Sequence, residues 1–322
     1  MEPQRYTVHH ETRYAYTAPV SQSWQLARLT PRLLPWQRLL SYALDIEPRA
    51  DERRDELDSF GNRVTHFGLH GAHRMLKVRM ECLVEVTERP ALDLPFAPPV
   101  QMQLQGGAQR PSQSQAQGQT LAAPAPLAWE AVREAIRREP QQDDLIPASM
   151  SEPTPLVPLS EGARLYASKS FARGRPWLDA VGELMRRIHE DFEFEPGATT
   201  VSTSVDEVLY QKRGVCQDFA HLMLACLRGH GLPARYVSGY LRTDPPPGMA
   251  RLMGVDASHA WVAAYSPQHG WVEFNPTNNQ PADQRYITLT WGADFADVVP
   301  LRGVIFGGGD QRMDVEVSVI PA

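Results

Sequence analysis

Cysteine is scarce in this chain: 322 residues carry 3, at positions 82, 216 and 226. So sparse and odd a set excludes a disulfide framework, and in a reducing compartment each stays a thiol. Metal-binding spacings such as CxxC or HExxH are missing, and the 10 histidines are scattered, so neither a metal nor a cofactor is expected. No apolar run approaches the roughly 20 residues that cross a bilayer, so no membrane association is expected. The opening MEPQRYTVHHETRY lacks a basic segment followed by an apolar core, which makes a cytoplasmic protein the expectation. Positive charge is not in surplus either: the formal net charge is -6, which gives no footprint for a nucleic-acid backbone. Near the C-terminus FGGGD (306–310) lacks the strand–loop–helix setting of a phosphate loop.

What is present is ordinary globular material, 42% hydrophobic and 22% charged, in a chain long enough for two modest domains. Residues 1–95 read as β. In MLKVRMECLVEV, Leu76, Val78, Met80, Cys82, Val84 and Val86 alternate with charged residues, with Leu83 out of pattern. Cys82 falls on the apolar face and reads as core. Gly61-Asn62 lies between two short strand-like runs, a hairpin signal, and YTVHHETRYAY is a further strand. Together these predict an N-terminal antiparallel β-sandwich or barrel-like domain. Residues 96–126 form a Gln/Pro/Gly-rich linker or insert, too poor in apolar residues to build a core. Helical spacing follows in 127–295: Trp129, Val132 and Ile136, then Leu178, Val181, Met185, Ile188 and Phe192 behind Pro176. Ser204 and Glu207 have capping-box spacing, with a helix end at Lys212-Arg213-Gly214. Residues 296–322 close the chain with strands.

RGVCQDFAHL puts Cys216 at the start of a helix whose apolar face is Phe219, Leu222, Met223, Cys226 and Leu227. Cys226 belongs to that face. Cys216 instead meets unpaired N–H groups and the helix dipole, which lower a thiol pKa and can hold an oxyanion. A base is offered by His259 in SHAWVAAYSPQHGWVEFNPTNN, which reads as a hairpin with strands 259–265 and 271–275. Pairing Tyr265 with Trp271 sets Ala263 opposite Glu273 and Trp261 opposite Asn275, so His259 and Asn275 become diagonal neighbours on one face. The Asn275 carboxamide oxygen would then accept Nδ1–H of His259 and turn Nε2 to Cys216. Gln217, Asp218, Asp256, Ser258 and Trp261 are candidates for substrate or oxyanion support. Asp218 also suits a helix start for purely structural reasons, and Trp261 and Trp271 are either cleft walls or cross-strand packing. Asp256 and Glu273 are nearby carboxylates that also fit solvated positions. His221 points away and reads as structural.

GVCQDFAHLMLACLRGHGLPARYVSGY, SHAWV and GWVEFNPTNN resemble the core of the transglutaminase-like superfamily, in its bacterial cysteine-peptidase-like branch. YTVHHETRYAY, RLTPR and DSFGN resemble the β-domain that often precedes that core, and DFADVVPLRGVIFGGG and MDVEVSV match how such chains end. The resemblance implies an α+β protein whose papain-like, transglutaminase-type core has the nucleophile on a helix start and the base and third member on antiparallel strands. It implies Cys216 as nucleophile, His259 as base and, where the family usually has Asp, Asn275 as the orienting residue. Papain-like proteases use Asn in that role. The implied chemistry is acyl transfer on a peptide or protein amide through a thioester. Hydrolysis is expected; transamidation by an amine and a non-catalytic binding or scaffold module are the alternatives. The β-domain would shape one wall of the cleft or recruit a protein partner.

Overall fold

The structure is a computed structural model and describes residues 2–90, 92, 125–138, 145–243 and 258–322. The predicted linker therefore lies almost wholly outside the described residues, as does Asp256. No helix of the described chain is long and apolar enough to cross a membrane.

The first strand, β1 (Gln4–Ala27), organises the N-terminal half. Its residues 4–16 lie between β5 (His73–Val86) and the C-terminal β14 (Gln311–Pro321). Past a break in register between Ala15 and Val20 it changes partners, pairing with β4 (Arg63–Leu69) and β13 (Leu301–Gly307). β2 (Gln37–Glu47) and β3 (Glu52–Leu57) extend the sheet on either side, giving seven strands. The expected β-domain is thus one curled antiparallel sheet, and the segment 296–322 supplies two of its strands. Alternation sorts β5 as read: Leu76, Val78, Met80, Cys82, Val84 and Val86 are buried. The Gly61-Asn62 signal is the β3–β4 hairpin, with Gly61 at φ +71°.

The second half contains a five-stranded antiparallel sheet in the order β11 (Gln280–Pro281), β10 (Gly270–Asn275), β9 (Ser258–Ser266), β8 (Ala234–Leu241), β12 (Tyr286–Gly292). Among the described residues six helices accompany it, α1 (Trp129–Arg137), α2 (Leu145–Ser149), α3 (Glu161–Ala167), α4 (Trp177–Asp191), α5 (Val205–Gln211) and α6 (Cys216–Arg228), and two short strands, β6 (Glu193–Phe194) and β7 (Arg213–Gly214), pair parallel to each other. α6 is the central one. Its Phe219, Leu222, Met223, Cys226 and Leu227 pack in one cluster with Ala260, Val262, Ala264, Val272 and Phe274 of the sheet. Pro176 is the N-cap of α4 rather than its first helical residue, so the helix starts one position later than expected, and the Ser204–Glu207 capping box opens α5.

β12 is the strand at which the two sheets meet. Two buried carboxamides of the N-terminal half close its outer edge. The Gln37 side chain donates to the Thr288 carbonyl and accepts from the Thr288 N–H, both at 2.8 Å. The Asn62 side chain donates to the Trp291 carbonyl at 2.8 Å and accepts from its N–H at 3.0 Å. Arg32 adds its guanidinium over the Trp291 ring, 3.5 Å from the centroid. Each amide thus does what a neighbouring strand would do, and the edge offers no template for another chain. Apolar packing completes the joint, since Tyr240, Ile287 and Leu289 share a cluster with Tyr6, Val8 and Val319.

Replacing Asn62 with Ala strands the Trp291 N–H and carbonyl in a buried seam, at a cost of about 2–4 kcal/mol. Urea unfolding is expected to show that loss with an unchanged m-value; an unaltered midpoint would remove Asn62 from the joint.

Candidate active site

Cys216 is the first residue of α6, preceded by Val215 in an extended conformation (φ -116°, ψ 180°). The approach to it differs in detail from the expectation. α5 ends at Lys212, which itself takes the left-handed conformation at φ +59°, so Gly214 is not the terminator. Gly214 is there for space: a Cβ would come within 2.7 Å of Asp218 Oδ2 and 2.9 Å of Asp218 Cβ. Asp218 uses that room to accept the Val215 N–H at 2.7 Å and the Thr199 hydroxyl at 2.6 Å. It is buried and does not line the cleft, so its part is to hold the turn that presents the thiol.

Cys216 and His259 line the same cleft, of about 300 Å³, together with Gln217, Ser258 and Ala260. Gln217 and Ser258 are therefore placed where substrate support was expected. Trp261 is not: it is fully buried, its Nε1–H bonded to Glu273 Oε2 at 3.2 Å and its ring edge-on to Tyr286. Glu273 is engaged by Arg89 at 3.1 Å as well as by that indole, and Trp271 packs on Tyr265. A larger cavity of about 580 Å³ lies beside these residues, but neither Cys216 nor His259 lines it. The site is placed at the smaller cleft because the nucleophile candidate is there. His221 is structural as read, buried and accepting the Phe295 N–H at 3.2 Å.

The hairpin register is the one assumed, with Tyr265 opposite Trp271 and Ala263 opposite Glu273. It brings Asn275 to His259, but through different atoms. The contact runs from Asn275 Nδ2 to His259 Nε2, at 3.0 Å. The reason is local. Asn275 Oδ1 accepts the backbone N–H groups of Thr277 (3.0 Å) and Asn278 (3.3 Å), so the carboxamide is pinned with its NH₂ toward the ring. Those two donors also fix which amide atom is oxygen. Nδ2 has two hydrogens and meets two other acceptors at shorter range, Tyr286 Oη at 2.7 Å and Asn278 Oδ1 at 2.8 Å. Asn275 is completely buried and offers Nε2 no acceptor. It leaves Nδ1 as the nitrogen available to Cys216, the reverse of the expected assignment.

Charge on either partner is costly here. Burial pushes the His259 pKa down to about 4. Hydrogen bonding to the Asn278 side chain pulls the other way, whereas the Asn275 oxygen is committed to the Thr277 and Asn278 N–H groups. Asn278 thus joins the site through a turn that no residue spacing could have signalled. Burial also raises the Cys216 pKa, opposed by the N–H groups of Ala260, Gln217 and Cys216 itself. The helix start was expected to lower it; desolvation outweighs that effect. The same N–H groups remain placed to receive an oxyanion. Among the described residues, no cluster of three or more His, Cys, Asp or Glu could hold a metal ion.

Comparison with known proteins gives two family matches: residues 6–85 fit the bacterial transglutaminase-like N-terminal region, and residues 166–276 the transglutaminase-like superfamily. An uncharacterized protein of Mycobacterium tuberculosis strain H37Rv is 38% identical over 326 residues, covering 98% of this chain and 93% of that one. A protein-glutamine gamma-glutamyltransferase of Pseudomonas aeruginosa is 36% identical over 110 residues, 33% of this chain and 16% of that protein. A crystal structure from Cytophaga hutchinsonii, described as a "putative cysteine protease", superposes with a TM-score of 0.69 at 18% identity, covering 99% of this chain and 91% of that one.

Asn275→Asp places an acceptor on Nε2 while keeping an oxygen for Thr277 and Asn278. The His259 pKa is expected to rise, and alkylation of Cys216 by iodoacetamide at pH 7 to quicken at least tenfold, about one pKa unit. A pH–rate profile that does not move would show that the amide orientation is immaterial.

Proposed function

The chain belongs to the transglutaminase-like superfamily, and from that premise we propose a cysteine-dependent acyl-transfer enzyme that cleaves amide bonds. The observation that carries the proposal is Cys216 at the first turn of α6, with N–H groups turned to its sulfur and His259 in the same cleft. The Cys216 thiol gives its proton to His259 Nδ1 as the sulfur attacks the amide carbonyl carbon. The N–H groups at the start of α6 hold the oxyanion. The C–N bond breaks as the leaving amine takes the proton from His259, and a thioester remains on Cys216. His259 then takes a proton from water as the water oxygen attacks the thioester carbon, the C–S bond breaks as that proton passes to sulfur, and the acid product leaves and ionises in solvent.

Nδ1 of a neutral ring can take a proton only when the ring's own proton sits on Nε2. Asn275 supplies no acceptor for that proton, because its oxygen is spent on the Thr277 and Asn278 N–H groups. The enzyme so described is a restrained one, with little thiolate at rest. Water as acceptor is favoured, because it needs no site of its own in so small a cleft. The resemblance to the Pseudomonas glutamyltransferase over a third of the chain is the ground for an amine acceptor as the second reading. The pinned Asn275 amide favours a third, a binding module on the same fold. The free thiols Cys82, Cys216 and Cys226 suit a reducing compartment, the cytoplasm.

Iodoacetamide labelling as a function of pH separates enzyme from module. Cys216 is expected to react ahead of Cys82 and Cys226, and His259→Ala to slow it several-fold at pH 7; a profile indifferent to His259 overturns the catalytic role. A fluorescent peptide amide, with and without a labelled primary amine, then assigns the acceptor. Release of free acid with no label in the peptide is the expected result.

A further inference from the structure

One wall of the cleft that holds Cys216 does not come from the core. It comes from the N-terminal sheet. β1 and β14 pair His10 with Val317, Thr12 with Val315, and Tyr14 with Met313. Directly opposed residues share a sheet face, so these six form one surface. Its inner end is fastened to the core: His10 and Val317 are buried, and His10 Nδ1 meets the Tyr240 hydroxyl at 2.7 Å. Its outer end emerges. Val315 is 45% exposed and Met313 56%, and with Tyr14 they line the cleft that holds Cys216, Gln217 and His259.

Large exposed apolar side chains are unremarkable singly, but here two stand side by side at the mouth of a reactive cleft. The chemistry of the remaining lining is equally one-sided. No Asp, Glu, Lys or Arg is found among the described residues lining this cleft. A charged group entering it would lose water and find no counter-charge. An apolar side chain would be desolvated at no such cost, and the unbranched thioether of Met313 adapts to varied shapes.

We propose that Tyr14, Met313 and Val315 form the subsite for the acyl side chain, so that the enzyme selects amides whose acyl group carries an uncharged, apolar side chain. The selection deepens the acyl-transfer reading of Cys216 and rests on it for the identity of the ligand. It makes the N-terminal sheet a specificity element, contributed by the two ends of the chain.

The test uses the full chain carrying Cys216→Ala, which separates binding from turnover. N-acetyl amino acid amides of one fluorescent amine, bearing Leu, Phe, Glu or Lys, are titrated by fluorescence anisotropy. Leu and Phe probes are expected to bind at least tenfold more tightly than Glu and Lys probes, the range typical of a single apolar pocket. Met313→Glu added to that chain is expected to reverse the order of the Leu and Lys probes, and the near-isosteric Val315→Thr to weaken the Leu and Phe probes several-fold. Both variants should keep the parent melting temperature. Equal binding of the four probes, binding of none, or indifference to both substitutions overturns the subsite. Iodoacetamide labelling of the unsubstituted protein tests the nucleophile separately, so a failed nucleophile with intact discrimination sinks the catalytic reading alone.

Discussion

The antiparallel pairing of β1 with β14, residues 6–16 against 311–321, ties the two ends of the chain together. The rest of the architecture hangs on it. β14 follows the whole core in sequence, so the N-terminal sheet is completed by the last segment of the chain. The shared face of β1 and β14 then spans both functions of the interface. Its inner half is buried against β8 and β12, and its outer half looks onto the thiol of Cys216. The carboxamides of Gln37 and Asn62 hold the joint laterally by giving β12 the hydrogen bonds of a strand it does not have.

Within the cleft the controlling balance is desolvation against hydrogen bonding. A thiolate–imidazolium pair needs N–H groups at the sulfur and an acceptor behind the ring. The first requirement is met by the start of α6 and by Ala260. The second is compromised, because the oxygen of Asn275 is spent on the turn at Thr277 and Asn278. A carboxylate has two oxygens and could serve both; a carboxamide has one. That single difference in atom count makes Asn275 a restraint on its own neighbour.

Much of this was legible in the chain itself. Period-two alternation found β5 and its buried thiol Cys82, and steps of three and four found the faces of α4 and α6, because burial acts on each element through its own repeat. The β9–β10 register, assumed with Tyr265 opposite Trp271, is the one the strands adopt, and it joins His259 to Asn275. Trp261 was legible only as an aromatic on a strand. Its burial follows from the approach of Glu273 and Tyr286, and Tyr286 comes from a strand that its local spacing does not connect to it. Asp218 was read as either structural or substrate-facing, and Gly214 as a helix terminator. Each acquired its role from the other, since the carboxylate occupies the space where a side chain would be.

The residues able to do chemistry were readable from the chain alone: one cysteine at a helix start, one histidine on a strand, and an asparagine diagonal to it across a hairpin. Local hydrogen bonding and burial periodicity are properties of neighbours along the chain, and they suffice for that. Folding in three dimensions set which nitrogen of His259 meets Asn275, made burial rather than the helix start govern the Cys216 pKa, and brought Met313 and Val315, roughly a hundred residues beyond Cys216, to line its cleft. Those outcomes depend on desolvation and on groups brought together from distant parts of the chain, and neither quantity exists until the chain has folded.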